Sequence, residues 1–139
     1  MELSNETKKE LLLSSKIIAV VGLSPKIDKP SNRVAQYLIE NGFRVIPVNP
    51  QHEEILGEKS YKSLSDIPYR IDVVDIFMRP ENVVPIVEEA VKLKPKAIWL
   101  QLGIINDEAK AIAEKNKIDF VQNLCIKIEH ARLFKEDEK

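Results

Sequence analysis

Short apolar runs alternate with amphipathic helical stretches along nearly the whole chain, and this alternation constrains the fold more than any other feature of the sequence. Ile17-Ile18-Ala19-Val20-Val21 is continuously apolar and β-rich, the pattern of a strand buried on both faces. The segment from Ser31 to Asn41 carries Val34, Ala35, Leu38 and Ile39 at helical spacing, and Gly42 closes it as a helix C-terminal glycine. Arg44 to Val48 is a second strand whose Pro47 predicts a locally irregular or weakly paired position. Ile71 to Phe77 is a third strand. A helix follows from about Glu81 to Leu93, with Pro85 early enough for its missing N–H to be tolerated. Beyond Pro95 come a strand at Ala97 to Leu100, a helix capped by Asn106 and running to about Lys115, and a short strand at Ile118 to Val121. A last helix covers roughly Ile126 to Phe134, and Lys135 to Lys139 is expected to fray. An opening helix spans Glu6 to Leu13. The stretch from Glu53 to Pro68 is the least regular, with Gly57, Ser63, Ser65 and Asp66 suggesting turns around a short helix.

Strand alternating with helix implies parallel strands joined by right-handed crossovers. The expected class is α/β: a doubly wound, mainly parallel five-stranded sheet with helices on both faces, in three layers. A length of 139 residues with 44% hydrophobic content suits a single domain over 1–139, its core at about 16–134. With 21 basic and 22 acidic residues the net charge of -1 exerts no broad pull toward nucleic acid or an anionic membrane surface. No apolar run approaches the about 20 residues of a membrane span. The polar, acidic start Met1-Glu2-Leu3-Ser4-Asn5-Glu6 is no signal peptide, so a cytoplasmic location is expected. Cys125 is the one cysteine, which excludes an intramolecular disulfide and a cysteine-based zinc site.

In a doubly wound sheet, ligands sit beyond the carboxyl ends of the strands, so the residues that follow each strand are the candidates for function. After the first strand come Gly22, Leu23 and Ser24, then a loop with Lys26 and Lys29, then Ser31-Asn32-Arg33 at a helix start. Glycine permits a close turn. The helix start points N–H groups and a positive dipole end at the loop, the serines and asparagine add donors, and the basic residues add charge. These are the ingredients of a phosphate cradle; the plainer alternative is that Ser31 or Asn32 only caps the helix. The chain has four glycines and only Gly22 lies in this loop, so the G-x-G-x-x-G fingerprint of dinucleotide enzymes is not written here. Asn49-Pro50 stands where such an enzyme offers an acidic residue to the ribose. Arg79-Pro80 can brace a phosphate or stack on a base, or Arg79 can pair with Glu81 or Glu53. Gln101 can hydrogen-bond a ligand and Gly103 lets the backbone approach one, although a tight turn accounts for both equally well. Cys125 reads first as a small buried hydrophobe, and Trp99 and Tyr37 as packing residues. His52 and His130 have no partners at metal-ligand spacing.

Val20-Val21-Gly22-Leu23-Ser24, Ser31-Asn32-Arg33-Val34-Ala35, Val48-Asn49-Pro50, Asp75-Ile76-Phe77-Met78-Arg79-Pro80, Trp99-Leu100-Gln101-Leu102-Gly103 and Asn123-Leu124-Cys125-Ile126 together resemble the small stand-alone CoA-binding domain proteins of Rossmann-like fold. These are similar to the CoA-binding portion of the succinyl-CoA synthetase α subunit. The resemblance implies coenzyme A, or an acyl-CoA, lying across the strand ends. Its diphosphate would meet Gly22 to Ser24 and Ser31 to Arg33. Asn49, Pro50, Arg79, Pro80, Gln101, Leu102 and Gly103 would line the adenosine and pantetheine, with Cys125 nearby. The synthetase's phosphorylated histidine belongs to a further domain, so ligase activity is not carried over and His130 does not stand in for that residue. No catalytic or metal-ligating residue is assigned. The expected function is CoA binding without catalysis of its own, in company with a possible homodimer mate or another protein. The alternatives are an NAD(P)-dependent oxidoreductase and a redox protein in which Cys125 forms a mixed disulfide with CoA.

Overall fold

A computed structural model describes residues 2–135. Its elements are α1 (Asn5–Ser14), β1 (Ile17–Val21), α2 (Pro30–Glu40), β2 (Arg44–Val48), β3 (Glu54–Ile55), β4 (Glu58–Lys59), β5 (Val73–Ile76), α3 (Val83–Lys92), β6 (Ala97–Leu100), α4 (Asp107–Lys115), β7 (Asp119–Val121) and α5 (Ile126–Lys135), with 3-10 turns at Leu64–Asp66 and Pro80–Asn82. Five strands form one sheet in the order β2-β1-β5-β6-β7, every neighbouring pair parallel. The expected Rossmann-like, doubly wound α/β architecture is what the chain adopts.

Strand alternation divides the core into two layers. Ala19, Val21, Val74, Ile76, Ile98 and Leu100 face α3 and α4. Ile18, Val20, Val73, Ala97 and Trp99 face α1, α2 and α5. The chain leaves β1 on one side to build β2, then crosses back to place β5 on the other. The switch point of the sheet is therefore the β1/β5 gap, and the crevice opens there.

Most elements match their sequence signals. Gly42, at φ +92, ends α2 in a Schellman arrangement: its N–H donates to the Ile39 carbonyl and that of Phe43 to Leu38. Asn106 caps α4, its Oδ1 accepting from the Ala109 N–H at 2.9 Å. Asn106→Ala is expected to lower stability by about 1 kcal/mol, read by urea unfolding.

Three expectations need correction. Pro47 is regularly paired, in register with Val20; β2 is an edge strand, and the Pro47 carbonyl accepts from the Tyr61 N–H on its outer side. Its missing N–H faces that same outer side, so the ladder to β1 loses nothing. The 53–68 segment holds an antiparallel hairpin of β3 and β4 as well as a 3-10 turn. Leu56 (φ 53) and Gly57 (φ +79) turn it, and Arg44 anchors it through Glu58 while stacking 4.5 Å over Tyr69. The helix expected from Glu81 begins as a 3-10 turn and becomes α-helical at Val83. Of the fraying expected at the C-terminus, 136–139 lie outside the described residues, and Lys135 is the last residue of α5.

Candidate functional site

Gly22 stands at the centre of the crevice for a steric reason. Its φ is +83, and a Cβ built on it would lie 2.1 Å from the Phe77 carbonyl oxygen. Its N–H donates to the Val48 carbonyl at 3.0 Å, while the Phe77 N–H donates to Val21 at 2.9 Å. The ends of β2, β1 and β5 are thus joined through Val21 and Gly22, of which Gly22 is exposed.

The loop that follows is shaped by the side chains read as phosphate donors. The Ser24 N–H donates to Ser31 Oγ at 3.0 Å, the Lys26 N–H to Ser24 Oγ at 3.1 Å, and Asn32 Nδ2 to the Ser24 carbonyl at 2.8 Å. Asn49 Nδ2 donates to the Leu23 carbonyl at 3.0 Å and its Oδ1 accepts from Gln51 N–H. Neither Ser31 nor Asn32 caps α2. The cap position is Lys29, which makes no side-chain capping bond, and Pro30 begins the helix. The N–H groups of Ser31 and Asn32 therefore belong to an uncapped helix start. Lys26, Lys29 and Arg33 surround it, all exposed and, among the described residues, without an ion pair.

On the other side of the sheet a cavity of about 380 Å³ opens beside Gly22, Asn49, Pro50, Lys62, Met78 and Ile86. A wider open depression adjoins it, sharing Pro50, Gln51 and Lys62. The crevice thus straddles the switch point, with a helix start on one side, a mainly apolar cavity on the other, and Gly22 between.

The remaining strand-end residues take varied roles. Arg79 is exposed and precedes the 3-10 turn that Pro80 begins; among the described residues it pairs with neither Glu81 nor Glu53. The Pro80 carbonyl accepts from Asn106 Nδ2 at 2.9 Å. Gln101 is buried and its Oε1 accepts from Ile126 N–H at 3.1 Å, so it ties β6 to the start of α5. Leu102 is exposed, and the Gly103 N–H donates to Asn123 Oδ1 at 2.8 Å. Cys125 is half-buried against the α1/α2/α5 layer. His130 has its Nδ1 2.7 Å from the Tyr37 hydroxyl, and burial pushes its pKa down.

Lys62, Ile86 and Glu89 line the cavity without a signal in the sequence, and Ser63, read there only as a turn residue, joins them. Met78 also lines it and lies within the Asp75 to Pro80 strand-end motif. The others come from the irregular segment and from α3, and only the packing of those elements brings them to the strand ends.

The model of the CoA binding domain matches residues 16–131. The chain belongs to that family. An uncharacterized protein of Bacillus subtilis is 39% identical over 123 residues, covering 88% of this chain and 91% of its own. A hypothetical protein from Pyrococcus horikoshii superimposes with a TM-score of 0.92 at 43% identity, over 95% of this chain and 93% of its own. The ADP-forming 4-hydroxybutyrate–CoA ligase of Nitrosopumilus maritimus is 31% identical over 121 residues, but this CoA-binding domain chain spans only 17% of that enzyme. Among the described residues no helix is long and apolar enough to cross a membrane.

Proposed function

We propose that the chain binds coenzyme A or an acyl-CoA across the β1/β5 switch point, without catalysing a reaction of its own. The diphosphate would rest on the exposed Gly22 and the half-buried Ser24, over the buried Leu23, and on the start of α2, and the cavity beside Asn49 and Pro50 would take an apolar or aromatic part of the ligand. The observation that carries this reading is the uncapped start of α2. Its dipole end and the N–H groups of Ser31 and Asn32, both buried residues, lie beyond the strand ends amid three exposed basic side chains that make no ion pair among the described residues, which is a physical match for a polyanion. The mainly apolar character of the neighbouring cavity suits a ligand that combines phosphates with a base and a long uncharged arm.

Calorimetry with CoA, acetyl-CoA, NAD and NADP tests the reading. Binding of either CoA species supports it, and silence toward both overturns it. Binding of a nicotinamide nucleotide with hydride exchange would instead establish the oxidoreductase. Arg33→Ala is expected to weaken CoA binding by more than about tenfold if the guanidinium meets a phosphate; an unchanged affinity would assign Arg33 to the solvated surface. Intact-protein mass under non-reducing conditions tests the mixed disulfide, which predicts a CoA adduct lost with reductant and absent from Cys125→Ser.

A further inference from the structure

Among the described residues, the buried side-chain oxygens without any hydrogen-bond partner are the two carboxyl oxygens of Asp75. Asp75 is the third residue of β5, in register with Val20 of β1 and Trp99 of β6, and is 0% exposed. By alternation with Val73 its side chain faces the layer of α1, α2 and α5.

The polar groups of that layer are committed elsewhere. Lys8 of α1 lies 2.6 Å from Glu129 of α5, and Arg132 binds the same carboxylate. Tyr37 of α2 meets His130 of α5, and Asn32 holds Ser24 and Gln36. The Trp99 indole N–H donates to the Leu124 carbonyl at 2.8 Å, next to Cys125. Neither β1 nor β6 places a titratable side chain beside it: Ile18 and Val20 are apolar, and Ala97 and Trp99 carry no acid or base. An ionised carboxylate at this position would have no counter-charge and no hydrogen-bond donor among the described residues, a state that protein interiors do not support.

The position matters because of what lies two residues further on. The Phe77 carbonyl abuts Gly22 and the Phe77 N–H holds Val21, so Asp75 sits beneath the junction on which the crevice is built. We propose that Asp75 is a proton-operated switch: as the neutral acid it lets β1, β5 and β6 close under the crevice, and on losing its proton to solvent it loosens that junction. Burial pushes its pKa well above the ordinary carboxylate range, in the same direction as the geometry. The sign follows from linkage. The stability contributed by the neutral form is fully present below the unfolded-state pKa of about 3.9 and is lost as pH rises toward and through the folded-state value. Only the further expectation, that crevice affinity falls in parallel, rests on the CoA reading.

The test needs no ligand. Infrared spectra of the wild-type protein should contain the carbonyl band of a protonated carboxyl at neutral pH, absent from Asp75→Asn. Urea midpoints should fall as pH rises in the wild type, and the fall should be distinctly smaller in both Asp75→Asn and Asp75→Val. Emission of Trp99, the one tryptophan and the cross-strand neighbour of Asp75, should shift as pH rises through the folded-state value, in the wild type alone. A wild-type spectrum with Asp75 ionised at neutral pH, or identical pH slopes in all three proteins, would overturn the proposal. CoA titrations across that pH range form a separate arm. Affinity dropping by about tenfold per unit above the folded-state pKa extends the switch to the crevice. Failure of CoA to bind at any pH, with the infrared band present, would defeat the ligand reading and leave the switch standing.

Discussion

Gly22→Ala is expected to abolish stable folding, or to leave a chain whose urea midpoint has fallen by at least about 4 kcal/mol of equivalent stability. A left-handed backbone alone costs a side chain about 1–2 kcal/mol. The larger part comes from the clash with the Phe77 carbonyl, where the added carbon would lie 2.1 Å from oxygen. That oxygen belongs to backbone at the end of a central strand, so it cannot rotate away as a side chain would. Relief requires β1 and β5 to part, and that gap is also the crevice. Gly42→Ala is the internal comparison, since Gly42 has a φ of +92 but nothing within 4 Å of its added carbon. It should lose only about 1–2 kcal/mol, the backbone share alone. Similar losses for both variants would show that the steric argument is wrong.

Glu129→Ala is expected to destabilise the protein by about 3–5 kcal/mol, because it leaves the Lys8 ammonium buried without its partner. Lys8 and Glu129 meet at 2.6 Å with side chains 8% and 7% exposed, and they join the first described helix to the last. The double replacement Lys8→Met with Glu129→Leu removes both charges and should recover most of that loss, measured by urea unfolding. A double variant as unstable as the single one would assign the effect to packing rather than to an orphaned charge. Burial raises the Glu129 pKa, and hydrogen bonds from Arg132 and Lys8 outweigh it, so the carboxyl titrates below its usual range. Its contribution to stability is therefore present above the unfolded-state value of about 4.3 and is lost as pH falls through the lower folded-state value. Wild-type protein should lose this share at the acid end, and the double variant should not. The two buried carboxyls thus act in opposite directions, the contribution of Glu129 being lost as pH falls and that of Asp75 as pH rises.

Much of the architecture was legible in local pattern. The apolar runs that became β1, β5 and β6, the glycine closing α2 and the asparagine capping α4 are signals contained within a few neighbouring residues, and they were read correctly. The hairpin of β3 and β4 was not legible, because two-residue strands have no period to detect. Pro47 signalled irregularity only because the sequence does not say which side of β2 faces the edge.

The same division runs through the crevice. Gly22 could be singled out from the sequence, but as a glycine near phosphate; its contact with Phe77, more than fifty residues away, follows from strands being adjacent in the sheet. Ser31 and Asn32 were marked as donors or caps, and the fold turned them into the struts of the preceding loop. Gln101 and Asp75 each look like one polar residue at a strand end. One became the partner of Ile126 N–H, the other a carboxyl with no partner at all. By itself the sequence determined the helices and the strands of the main sheet, their parallel alternation and the set of strand-end residues, because those depend on propensities and periods that act over one or two turns of chain. Which strands lie side by side, which polar groups find partners and where the cavity opens were decided only by tertiary structure, because burial and hydrogen-bond satisfaction depend on what the rest of the chain brings to the same place.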